Sequence, residues 1–380
     1  MQTTRRRFLQ GSIALAGLTQ LKGMALANAL EITGLKDVFK DDFLIGTAIS
    51  NRTLETQDAE LLALIAQEFN TITAENCMKS GEIQPAQGEW NWELADRFMA
   101  FGRENNMTMV GHALVWHSQT PSDLFVNASG EQVSRAELER RMVTHISTLM
   151  ERYRGQVHIW DVVNEAIDEG KGWRNSPWFN IFGNADYMER AFQIAHEIDP
   201  NAQLLYNDYN MHNPEKRAFL VDVLRDYKQR GIPIHGVGLQ GHVGLDFPDL
   251  GEFERSIVSY AEQGMRVHIT ELEVDVLPVA WEHIGAEISD EFEYSDELNP
   301  YADKLPSDIE ARLTARYVEV FEMLLRHRDK IDRVSTWGTY DAESWKNDFP
   351  VKGRTNYPLL FDRQRKPKNA YHALSKLKSQ

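Results

Sequence analysis

Cysteine occurs once in 380 residues, at Cys77. No intrachain disulfide can form, so the fold must rest on a buried core and not on covalent staples. The neighbours of Cys77 in "AENCMK" supply no histidine base, which leaves it a structural residue and not a thiol nucleophile. Long apolar runs are absent as well, and nothing is long and apolar enough to read as a bilayer-spanning helix. Basic charge is in deficit: 41 Lys and Arg stand against 57 Asp and Glu, giving a formal net charge of −16. Such a surface repels phosphate backbones, so nucleic acid is excluded as a partner and a neutral ligand is expected. There is no glycine-rich nucleotide loop after the first apolar strand, where the chain reads "IGTAISNRT". Short repeats, Pro/Ser-rich linkers and appended binding modules are missing too.

What is present begins with an N-terminal segment unlike the rest. "TRRRFLQ" (Thr4–Gln10) is followed by the mildly apolar "GSIALAGLTQL" and a small-residue site at Ala25–Ala27. This resembles a twin-arginine export leader spanning residues 1–27, which predicts a periplasmic or secreted protein without a membrane anchor in its mature form. Loss of its four basic residues, Arg5, Arg6, Arg7 and Lys22, takes the charge from −16 to −20.

Beyond the leader, residues 31–380 read as one domain. Short apolar runs at 43–50, 71–76, 108–116, 157–166, 202–210, 235–243, 266–274 and 333–341 alternate with amphipathic stretches such as 134–153. Ser134 with Glu137, and Ser307 with Glu310, have capping-box spacing at two expected helix starts. Eight strand–helix repeats with strands apolar on both faces predict an α/β fold, a single (β/α)8 TIM barrel.

In such barrels chemistry sits at the C-terminal strand ends. Here those ends carry Glu75–Asn76, His112, Trp116–His117, Asn164–Glu165, Asn207–Asp208, Gln240, His242, Glu271, Glu273 and Trp337. Glu165 on strand four and Glu271 on strand seven are expected to face each other from opposite sides of the mouth. Two carboxylates beside indoles fit glycosidic-bond hydrolysis, one protonating the leaving oxygen and the other attacking the anomeric carbon. Trp160, close to Glu165 in sequence, is expected to desolvate it. His242 is expected to hydrogen-bond Glu271 and keep it ionised.

The motifs "TAENCMK", "GHALVWHSQTP", "WDVVNEA", "GVGLQGHV", "ITELEVDV" and "WGTYDAESW" occur in that order. Through them the chain resembles the endo-β-1,4-xylanases of glycoside hydrolase family ten, over nearly all of residues 40–375. The resemblance implies hydrolysis of xylan with retention of configuration, Glu165 as acid/base and Glu271 as nucleophile. It implies sugar contacts from Glu75, Asn76 and Lys79 at the second sugar on the non-reducing side. Around the sugar being cleaved it implies His112, Trp116, Gln119, Asn164, Gln240 and His242, with Trp337 and Trp345 as a roof. Two positions depart from the pattern. Glu273 stands where the family often has an aspartate that orients the histidine, and Cys77 replaces a polar residue, which could alter the pocket wall.

No cofactor and no metal are expected, although His112, His117, His242 and His268 invite the question; the protein is expected to be a monomer. Trp90, Trp92, Trp173, Trp178 and Trp281 are candidates either for outer sugar subsites or for packing. Residues 278–303, with eight acids, read as a solvated loop. Two other activities stay open: a related barrel glucanase acting on cellulose, and a polysaccharide-binding barrel without catalysis.

Overall fold

The computed structural model describes residues 34–170, 172–278 and 294–379. The expected leader, Trp281 and most of the acid-rich segment lie outside the described residues. Eight parallel strands form the wall: β1 (Leu44–Ile49), β2 (Thr71–Ala74), β3 (Thr108–Val115), β4 (Ile159–Asn164), β5 (Gln203–Asp208), β6 (Gly236–Leu239), β7 (Arg266–Asp275) and β8 (Ile331–Thr336). Each pairs with the next, and β8 pairs with both β7 and β1, which closes the ring. The sequence expectation of a TIM barrel therefore holds.

One helix of eight or more residues follows each strand: α1 (Ala59–Glu68), α2 (Glu93–Glu104), α3 (Arg135–Arg152), α4 (Asp186–Ile198), α5 (Pro214–Arg230), α6 (Leu250–Glu262), α7 (Ser307–Arg326) and α8 (Asn369–Lys376). Their apolar stripes bury against the outer face of the strands, and the strands are buried on both faces because the bore is filled as well. Val110, Ile159 and Leu205 form an apolar plug of their own inside it. Above the plug the bore turns polar. The fully buried Arg333 donates to His268 Nδ1 at 3.2 Å, Ser335 Oγ at 3.1 Å and Thr73 Oγ1 at 3.3 Å.

Three local expectations change. The Ser134 hydroxyl caps α3 by accepting from the Glu137 amide at 3.2 Å, as its spacing predicts. Ser307, by contrast, is already the first helical residue of α7; Pro306 is the N-cap, with no side-chain cap. Strand eight starts two residues earlier than expected and stops at Thr336, since Gly338 turns the chain at a φ of 112° that extended L-residues avoid. The expected strand 235–243 is divided. β6 ends at Leu239, Gly241 turns at a φ of 82°, and His242–Gly244 pairs separately with the outer end of β7.

Besides a slip between Val267 and His268, pairing register slips in three places among the described residues, between His112 and Val115, between Asp161 and Val163, and between Ile269 and Leu272. A slip of this kind bends a strand and re-aims its side chains, and such irregularities gather beside functional sites. All three lie just below the polar rim.

Candidate active site

The C-terminal ends of the strands open into a cleft of about 760 Å³. Ten of the residues singled out from sequence line it: Lys79, His112, Trp116, Asn164, Glu165, Gln240, His242, Glu271, Trp337 and Trp345. Glu75, Asn76, Gln119 and Glu273 do not line it but are hydrogen-bonded to lining residues or to one another.

Glu165 and Glu271 are 7% and 4% exposed. They are not diametrically opposed: on the short side only β5 and β6 separate their strands. Those two strands brace the pair. Asn207, at the tip of β5, accepts the Glu165 amide on its carbonyl at 2.9 Å and donates its Nδ2 to Glu271 Oε1 at 2.8 Å. Gln240, just past β6, accepts the Glu271 amide at 2.7 Å and donates its Nε2 to Glu165 Oε1 at 2.9 Å. Each rim amide thus holds the backbone of one glutamate and the carboxylate of the other. The Asn164 amide lies 3.0 Å from Asn207 Nδ2 and 3.5 Å from Gln240 Nε2, between the two acids. Thr270 fixes Asn207 in turn, donating to its Oδ1 at 2.7 Å.

Glu165 itself sits at a φ of 57°, in the left-handed region. A non-glycine residue there costs of order 1–3 kcal/mol and persists only when its surroundings hold it. Its carbonyl accepts from Arg174 Nε at 2.7 Å, and the next amide, of Ala166, donates to the Tyr206 hydroxyl at 3.1 Å. Trp116 Nε1 donates to its second carboxyl oxygen at 2.9 Å. Burial pushes the Glu165 pKa up, and the nearby Asp208 carboxylate adds to this against the Gln240 and Trp116 hydrogen bonds. The expectation that Trp160 desolvates Glu165 fails. Trp160 lies on the outer face of β4, where its ring fills the space a side chain at Gly111 would occupy.

Glu271 behaves oppositely. Burial works against its ionisation, yet hydrogen bonds and charge from His242, with Asn207, outweigh it and hold the pKa down. His242 Nε2 is 3.2 Å from Glu271 Oε2, and its Nδ1 is 2.7 Å from Glu273 Oε1. Burial disfavours the imidazolium, but Glu273 and Glu271 reverse the balance and raise His242 to about 9. The fully buried Glu273 also accepts from Trp345 Nε1 at 2.9 Å, so its extra methylene keeps the relay and reaches the roof indole.

On the other flank, Lys79 Nζ donates to Asn76 Oδ1 at 2.9 Å and Gln119 Oε1 at 2.7 Å, and lies 5.0 Å from the Trp116 ring. Asn76 Nδ2 reaches Glu75 at 3.2 Å; burial raises the Glu75 pKa, with the Lys79 charge opposing. Gly81 allows the two loops to meet: a Cβ there would stand 2.6 Å from the Gln119 carbonyl. His112 Nδ1 bonds Asp161 Oδ2 at 2.9 Å, and its ring packs edge-on to Trp337 at 5.3 Å.

Other candidates lie elsewhere. Cys77 is buried in the core and does not line the cleft, and burial raises its thiol pKa. None of the four described outer tryptophans lines the cleft. Trp90 and Trp92 stack on each other at 4.9 Å, Trp173 packs edge-on to Phe219, and the buried Trp178 donates to the Trp116 carbonyl at 2.8 Å. Among the described residues no group of three or more His, Cys, Asp or Glu could hold a metal ion. Asn207, Arg174, Tyr206 and Asp161 were not among the residues expected at the site. Asn207 stood in view at a strand end, but its double contact is invisible without the register of β4 against β5.

The family model described as "Glycosyl hydrolase family 10" matches residues 34–377. An endo-1,4-beta-xylanase A of Xylanibacter ruminicola is 40% identical over 343 residues, covering 90% of this chain and 93% of its own. An endo-1,4-beta-xylanase of Geobacillus stearothermophilus is 40% identical over 342 residues, with 90% and 97% covered. A solved endoxylanase of the same family from a sugarcane soil metagenome superposes with a TM-score of 0.88 at 52% identity, covering 90% of this chain and all of that one. The chain belongs to glycosyl hydrolase family 10.

Proposed function

We propose that the chain is a retaining endo-1,4-β-xylanase, with Glu165 as acid/base and Glu271 as nucleophile. The observation that carries this reading is the opposite bias of two braced carboxyls in one cleft, Glu165 up and Glu271 down. A proton donor and an ionised attacker are what a double displacement requires. In the first step Glu271 bonds to the anomeric carbon as Glu165 gives its proton to the departing glycosidic oxygen. In the second, Glu165 takes a proton from water, the water oxygen bonds to that carbon, and the Glu271 ester breaks. Asn164, set between the two acids, is placed to bond the sugar's 2-hydroxyl. Trp116, Trp337 and Trp345 offer flat faces to the apolar C–H surfaces of the ring.

Lys79 with Asn76, Glu75 and Gln119 forms the arm for the neighbouring sugar on the non-reducing side. The relatives' names, with coverage of nine-tenths or more of both chains, support xylan as the polymer. Export through the twin-arginine-type leader completes the reading, and a reporter fusion should lose export when Arg5 and Arg6 are deleted. The central test is proton NMR of the first sugar released from xylan, together with Glu165→Ala kinetics. A β-anomer is expected, with kcat/KM falling on xylan far more than on a dinitrophenyl xylobioside, whose leaving group needs no proton. An α-anomer refutes retention, and equal losses on both substrates refute the role of Glu165. Comparable rates on carboxymethylcellulose would assign a glucanase instead.

A further inference from the structure

Behind Glu165, away from the cleft, lies an ion pair that the reaction itself does not use. Lys216 on α5 is 1% exposed and Asp208 at the end of β5 is 0% exposed; the ammonium donates to Asp208 Oδ1 at 2.7 Å. The other carboxylate oxygen takes the Tyr206 hydroxyl, and the Tyr209 amide adds a third donor at 2.9 Å on Oδ1. Three donors on two oxygens favour the ionised form of Asp208, against burial, which pushes its pKa up. Buried pairs of this kind add little net stability compared with apolar packing, so their presence asks for another reason.

The geometry supplies one. The peptide that follows Glu165 is gripped on both sides. Its amide, on Ala166, donates to the Tyr206 hydroxyl, which is tied to Asp208. Its carbonyl, on Glu165, accepts from Arg174, whose Nη2 donates to the Tyr209 hydroxyl at 2.7 Å. The Tyr209 ring in turn lies 4.1 Å from the Lys216 ammonium. Both grips therefore run back to the same two charges.

We propose that the Lys216–Asp208 pair is a positioning device for Glu165, anchoring through Tyr206 and Tyr209 the left-handed backbone that carries the carboxyl. This rests on the reading of Glu165 as acid/base. Neither residue touches substrate in the proposed reaction; both act through the groups between them and Glu165. The pair also sets a fixed negative charge behind that carboxyl. The charged or titratable groups around Glu165 are Asp208 on β5, Glu271 on β7, Lys79 after β2, Arg174 after β4, and Tyr209. Of the acids, Asp208 raises Glu165 more than Glu271 does.

The test compares Lys216→Met, Asp208→Asn and Tyr206→Phe on xylan and on a dinitrophenyl xylobioside, with pH profiles of kcat/KM. Asp208→Asn removes the negative charge. Lys216→Met leaves a buried carboxylate that regains its proton. Both are expected to move the basic limb on xylan to lower pH. Tyr206→Phe keeps both charges and cuts the tether between them and the Ala166 amide, removing the hydroxyl's hydrogen bonds to Ala166 and to Asp208 together. It is expected to lower kcat/KM on xylan by about tenfold or more, within the range of general acid catalysis, and to leave the activated substrate nearly unchanged.

Equal losses on both substrates with an unmoved basic limb would mean a merely structural role and overturn the proposal. Should the two charge variants fail to fold, a Tyr206→Phe enzyme with full activity on xylan overturns it alone. Glu165→Ala separates the two readings. If that variant lacks leaving-group dependence, the acid/base assignment has failed; if it shows it and the three variants do not, only the positioning proposal has.

Discussion

Replacing Glu273 by glutamine keeps the side chain's length and a hydrogen-bond acceptor for His242 Nδ1, but removes one of the two carboxylates that flank the imidazole. In the intact protein those carboxylates, at 2.7 and 3.2 Å, raise His242 from 6.5 to about 9 against the pull of burial. That gap, at about 1.4 kcal/mol per pH unit, corresponds to about 3 kcal/mol of differential interaction. Because the folded value is the higher one, the stabilisation is complete below the unfolded value of 6.5 and is lost as pH rises to about 9. Glu273 is the largest of the raising influences, so in Glu273→Gln the imidazole should titrate about 1–3 pH units lower.

Imidazole C–H resonances followed by NMR between pH 5 and about 10, assigned with a His242→Asn control, report the titration directly. Urea unfolding over the same range gives the linked stability. The native protein should lose stability between pH 6.5 and about 9 that Glu273→Gln does not lose there. A native His242 titrating near 6.5, or one unmoved by the substitution, would refute the reasoning.

Lys79→Met removes the ammonium that ties Asn76 to Gln119 and should raise KM on xylan with a smaller change in kcat. At about 1.5–3 kcal/mol for a charged hydrogen bond the loss in kcat/KM is on the order of tenfold to a hundredfold, read by steady-state kinetics; an unchanged KM would remove Lys79 from substrate binding. Gly81→Ala sets a Cβ 2.6 Å from the Gln119 carbonyl, so one loop must move. A cost of about 1–3 kcal/mol in urea unfolding is expected, and a neutral result would mean that the loops are not held together there.

The barrel was legible because its strands are buried on both faces and end in polar clusters, a pattern that repeats eight times along the chain. Glu165 and Glu271 stood out as carboxylates where apolar strands emerge, and the His242 contact followed from adjacency of their strands. What failed had separate causes. Trp160 is close to Glu165 along the chain, but alternation puts it on the outer face of β4, against Gly111. The divided strand at 235–243 and the early end of β8 depend on glycine turns at positive φ, which a hydrophobic pattern does not encode. Ser307 had the right spacing for a cap, yet Pro306 takes that place, since an extended proline needs no amide partner. The bracing by Asn207 and Gln240 is a property of register, a relation between strands and not a feature of either segment.

The braces raise a question of symmetry. Asn207 and Gln240 are neutral amides, and each donates to one carboxylate at nearly the same distance, 2.8 and 2.9 Å. Equal hydrogen bonds to equally buried acids cannot push one pKa up and the other down. The difference comes from one layer further out, where each glutamate has another carboxylate behind it. Behind Glu165 stands Asp208, acting through space, and like charge raises the pKa. Behind Glu271 stands Glu273, but an imidazole lies between them, at 3.2 Å from one acid and 2.7 Å from the other. Glu273 keeps that imidazole protonated, and the imidazolium lowers the pKa of Glu271. The same negative charge therefore has opposite effects on the two acids, according to whether a proton carrier stands in the gap.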